Sequence, residues 1–161
     1  MRNSSEPKPA FGIEFLRPAV GQVLKGLKRY VVGLGSVNDE WGHGMTEIHF
    51  ETTVLTIKPG PDEDYIVIEE GAVRDEDVNP EYDTLVNFSR REDWCSHIGR
   101  KVSCVDCFTD GYEDVALVFH LVPEEQFSIV LCDTSLWLAE GLQLFEHDRL
   151  GVVPRFRQRI E

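Results

Sequence analysis

The sequence predicts an α+β, β-rich fold, mainly antiparallel sheet laid down as a meander of hairpins, with one or two short helices packed on it. Apolar residues recur with the period of two that a half-buried strand requires, most plainly in "TEIHFETTVLTIKP" at 46–59. Turn chemistry separates such runs, as Asp110-Gly111 does ahead of "VALVFHLV". Helix-start signals are few and short. A chain of 161 residues suffices for one domain with its own core. The expected layout is a flexible N-terminal tail at 1–11, a globular β-rich domain at 12–148, and a basic C-terminal tail or terminal strand at 149–161.

Pro7 and Pro9 argue against regular structure in the first eleven residues. In "RPAVGQVLKGLKRY", Val20, Val23, Leu24 and Leu27 follow helical spacing and Pro18 suits a first turn. Gly21 and Gly26 weaken that helix and keep two short strands as its rival. "RYVVGLGSV" reads as a strand, and 35–45 as a Gly-rich loop with an aromatic tip at Trp41. No dinucleotide or phosphate-loop pattern is present there. Residues 46–59 read as one long strand with His49 outward, 60–64 as a hairpin loop and 65–70 as the returning strand.

Residues 71–83 have no period and many charges, which marks a loop; "TLVNF" follows as a short strand. Ser89 and Glu92 hold capping-box spacing, so a short helix is expected at 89–99, with Trp94 and Ile98 as its anchors. Four strands are expected at 101–108, 114–122, 126–133 and 135–139, with "TDGYED" and "PEEQ" as connections. A strand or helical turn is possible at 142–146.

Cys95, Cys104, Cys107 and Cys132 are too few for a disulfide scaffold at this length. "CVDC" has zinc-like spacing, but on a strand Cys104 and Cys107 point to opposite faces. No metal and no cofactor is expected. His43 and His49 read as surface histidines without a third ligand. The acids of "DCFTDGYED", namely Asp106, Asp110, Glu113 and Asp114, lack the spacing of a calcium loop. They read as turn residues and surface charge kept out of the core.

"HIGRKVSCVDCFTDGYEDVALVF" resembles a stretch of a family of small uncharacterised bacterial domains. Ile98, Gly99, Arg100, Gly111, Tyr112, Asp114 and Phe119 carry the resemblance, which covers roughly residues 95–135. It implies a β-rich fold and no transferable activity.

Charge is unevenly placed. Residues 31–89 hold fourteen acidic and two basic groups, net −12, while residues 149–161 hold four basic and one acidic, net +3. An acidic body repels nucleic acid and anionic membranes and attracts a basic protein. No apolar run of about 18 residues suggests a membrane span and no signal-like apolar stretch opens the chain, so cytoplasm is the expected location. No catalytic motif set is present. The expected function is a small acidic protein-binding module, an immunity protein or inhibitor masking a basic toxin or nuclease. The alternatives are a non-catalytic subunit of a larger complex or an enzyme of unrecognised class. The candidate face is Asp62, Glu63, Asp64, Asp75, Glu76, Asp77, Glu81 and Asp83, with Trp41 and Tyr82 as aromatic anchors.

Overall fold

Ten antiparallel strands form two five-stranded sheets around one apolar core, in a computed structural model that describes residues 6–32, 44–60, 65–81, 83–90, 94–132, 135–140 and 154–161. The first sheet has the order β4-β3-β2-β1-β5, from β1 (Leu24–Val32), β2 (Thr46–Phe50), β3 (Val54–Pro59), β4 (Ile66–Glu70) and β5 (Asp83–Asn87). The second has the order β10-β6-β7-β8-β9, from β6 (Val102–Thr109), β7 (Asp114–Leu121), β8 (Glu125–Cys132), β9 (Ser135–Glu140) and β10 (Arg155–Ile160). The β-rich, antiparallel part of the expectation is what the molecule has. The helices of the described residues are all of the 3-10 type: one of seven residues at Ile13–Ala19, and three-residue turns at Asp75–Asp77, Phe88–Arg90 and Cys95–His97.

The helix expected within 17–30 is instead the strand β1 and the approach to it. Its pairing with β2 carries a bulge between Leu24 and Gly26, so Leu24 faces Phe50 and Gly26 faces His49. The extra residue lets Leu24 and Leu27, three apart, both point into the core. A regular strand would send them to opposite faces.

The strand expected at 46–59 is a hairpin. Phe50 N donates to Thr53 O at 2.8 Å, and His49 pairs with Val54. The reversal at Glu51-Thr52 has no Gly, Pro or Asn; neighbouring chain caps it instead. Gln22 Oε1 accepts from Thr52 N, Gln22 Nε2 donates to Thr53 Oγ1, and Glu51 Oε1 accepts from Val23 N.

Alternation places Ile48, Leu55, Ile57 and Ile68 of the first sheet against Val105, Leu117, Phe119, Phe127 and Ile129 of the second. Phe119 and Phe127 stack at 4.8 Å, and Trp94 meets Phe127 edge-on at 5.9 Å. Trp94 and Ile98 thus pack where the sequence expects anchors, though on a 3-10 turn. Arg29 is fully buried in β1 and its Nη2 donates to the Leu136 carbonyl of β9 at 2.5 Å, a direct link between the sheets.

Residues 8–11 are tied down where a flexible tail is expected. Lys8 N donates to Tyr112 O and Lys8 O accepts from Asp114 N, while Phe11 N donates to Ile66 O and Phe11 O accepts from Ile68 N. This arm therefore fastens β7 of one sheet to β4 of the other. Gly12, just after it, has φ +83, and a Cβ there would lie 1.9 Å from Ile68 O. Only glycine admits so close an approach.

Candidate functional site

The acidic segment 71–81 owes its course to topology. It leaves β4 at one edge of the first sheet and must reach β5 at the other edge. It crosses the outer face, where Glu47, Thr56 and Lys58 project opposite to the core residues Ile48, Leu55 and Ile57. Thr56 Oγ1 donates to Gly71 O at 2.8 Å, and Val73 N donates to Glu47 Oε2 at 3.0 Å. Lys58 Nζ reaches Asp77 Oδ2 at 3.0 Å and Glu69 Oε1 at 2.9 Å. Burial alone would lower the Lys58 pKa, but the bonds to Glu69 and Asp77 outweigh it and hold it above its ordinary value. At the far end Asn79 N donates to Asp83 Oδ2 at 2.8 Å, and Asp83 N donates to Asn79 O at 2.7 Å.

These bonds divide the candidate face. Asp75, Glu76 and Glu81 are exposed on the crossover. Glu76 has a loose surface pair with Arg74 at 3.4 Å, a contact of little energetic weight. Asp75 and Glu81 have no cation within 4.0 Å among the described residues. Asp77 and Asp83 are not free contact residues: one is held by Lys58 and the other caps Asn79. Tyr30 lies beneath, its phenol pKa raised by burial and then by Glu47, Asp75 and Asp83. Trp41, Asp62, Glu63, Asp64 and Tyr82 fall outside the described residues, as does the element expected at 142–146.

A second polar cluster sits on β6, β7 and β10. The turn at 109–114 behaves as the sequence expects. Asp110 Oδ1 accepts from Tyr112 N and Glu113 N, and Gly111 has φ +107. The acids flanking that turn do not stay out of the interior. Asp114 is fully buried and Asp106 is 5% exposed. Asp114 accepts from Arg157 Nε and Nη2 and from Ala10 N; Asp106 accepts from Arg159 Nε and Nη2 and pairs with His120 Nε2 at 2.8 Å. The expectation of acids kept at the surface fails because the basic terminal segment returns as β10 and pairs with β6.

The guanidinium of Arg159 holds the Asp106 carboxyl below its ordinary range against the opposing effect of burial, with His120 helping. Asp114 in turn raises Arg157. Cys107 lies in the core, and burial, seconded by Asp114, pushes its thiol up to about 12. It is a protonated, inert thiol at neutral pH. Cys104 is on the opposite face beside Asp106 and His120. Cys95 is exposed. The sequence expectation does not bring these residues together. The alternating arginines of "PRFRQRI" were its visible signal, marking a strand with one charged face.

No protein-family model, no curated protein and no solved structure matches this chain. Among the described residues no helix is long and apolar enough to cross a membrane.

Proposed function

We propose that this chain is a small cytoplasmic protein-binding module whose acidic crossover receives a basic protein, in the manner of an immunity protein or inhibitor that masks a toxin or nuclease. The observation that carries the reading is the crossover itself. Asp75, Glu76 and Glu81 project from a segment laid over the outer face of a sheet, while Asp77 and Asp83 hold that segment in place. Acid groups without strong intramolecular partners leave their field available for steering a cationic surface. Trp41 and Tyr82 supply the aromatic contacts in this reading.

The test begins with capture of partners from a lysate of the source cells, followed by binding kinetics at two salt concentrations. Association is expected to slow steeply with salt, with dissociation changing less. Reversing Asp75, Glu76 and Glu81 together to Lys is expected to lower the association rate roughly tenfold or more at low salt. Asp77 is left intact, because a lysine there would face Lys58. An acidic partner, or an association rate indifferent to salt and to the triple reversal, would refute the reading.

A further inference from the structure

Cys104, Asp106 and His120 stand together on the outer side of the β6–β7 pair. Cys104 and His120 are direct cross-strand partners, and Asp106 lies two residues along on the same face of β6. One ligand atom from each, a thiol sulfur, a carboxylate oxygen and an imidazole nitrogen, lies within 4.8 Å of the others. We propose that these three residues form a binding site for a divalent transition metal of the zinc class.

The donor types select the metal. Thiolate with imidazole disfavours magnesium and calcium, which take oxygen ligands, and suits zinc or cobalt. Tetrahedral arms of about 2.0–2.3 Å put ligand atoms about 3.4–3.8 Å apart. The cluster therefore has to contract by about 1 Å at its widest, within reach of side-chain rotation on two paired strands. His120 Nε2 and Asp106 Oδ2 are already 2.8 Å apart, joined through a proton that a cation can replace.

Arg159 bonds both oxygens of Asp106, Nε to Oδ1 at 2.7 Å and Nη2 to Oδ2 at 2.9 Å. A metal at Oδ2 therefore has to displace Nη2, and the Nε bond to Oδ1 then keeps the carboxylate oriented, as partners of metal ligands commonly do. Ser103 Oγ directs a weak contact at the Cys104 sulfur at 4.0 Å. The His120 side chain is 27% exposed and that of Arg159 48%, which gives a cation a path from solvent. Cys107, the other half of "CVDC", lies in the core and takes no part.

Three protein ligands leave a fourth position for water. Binding displaces the thiol proton, so affinity rises with pH. The experiment titrates the metal-stripped full chain with Zn²⁺ alone, and with Co²⁺ as the spectroscopic probe. One metal per chain is expected, with a cobalt–thiolate charge-transfer band in the near ultraviolet. Cys104→Ser should abolish that band, and His120→Asn should weaken binding by at least about tenfold. Cys95→Ser, a change at an exposed residue, should leave both intact. Circular dichroism of each variant separates loss of the site from loss of the fold. A well-folded wild type that shows no cobalt–thiolate band in excess metal overturns the proposal. So does binding that survives both site substitutions, or binding lost in Cys95→Ser.

Discussion

Arg157 grips both carboxylate oxygens of Asp114, with Nε 2.5 Å from Oδ1 and Nη2 2.7 Å from Oδ2. Asp114 opens β7 and Arg157 lies in β10, and β6 runs between those strands. The pair therefore spans the strand that separates its two residues, and Ala10 N adds a third bond to the same carboxylate.

Removing one member of such a pair leaves the other buried and uncompensated. Arg157→Ala is expected to cost about 3–5 kcal/mol of unfolding free energy, read as a fall in the urea midpoint. Adding Asp114→Asn to that variant should recover part of the loss, since the stranded charge is gone. Strictly additive losses in the double variant would show that the two residues do not act as a pair.

The turn at 109–114 makes a sharper demand on backbone than on charge. Asp110→Asn should change stability by less than about 0.5 kcal/mol, because the asparagine oxygen can accept the same two amides. Gly111→Val should cost about 1–3 kcal/mol, because φ +107 is strained for a β-branched side chain. Equal melting temperatures for wild type and Gly111→Val would contradict this turn geometry.

Asp106 links stability to acid. Its folded pKa lies below the ordinary 3.8 chiefly because Arg159 bonds its charged form. The resulting stabilisation is fully present above the unfolded value and is lost as pH falls through the lower folded value. The stability gap between wild type and Asp106→Asn should therefore narrow as pH falls below about 4. Urea unfolding of both proteins as pH is lowered checks it. A gap unchanged down to pH 2 would mean the carboxylate's ionisation contributes nothing.

Much of the second sheet is legible in the sequence, because β6, β7 and β8 carry dense apolar runs separated by turns with local chemistry. The first sheet is harder to read. The bulge in β1 makes Leu24 and Leu27 imitate helical spacing, and the Glu51-Thr52 reversal is capped by Gln22 from elsewhere, so no turn residue announces it. The acidic crossover is readable as a loop, but which of its acids face outward depends on Lys58 and Asn79. The Cys104–Asp106–His120 cluster depends on strand register, and a one-residue slip would put these side chains on the other face. Register between β6 and β7 is not written in either segment alone.

The crossover over the first sheet bears on the thermodynamics of association. It is fixed where it leaves β4, at Val73, at Asp77 and again beside β5. A loop held at four points along a dozen residues loses little further conformational freedom when something docks on it. The ordering entropy that a floppy acidic tail would surrender at the moment of contact has already been lost during folding. In the proposed reading its carboxylates form a preorganised surface, and a partner meeting it would need no coupled folding step on this side of the interface.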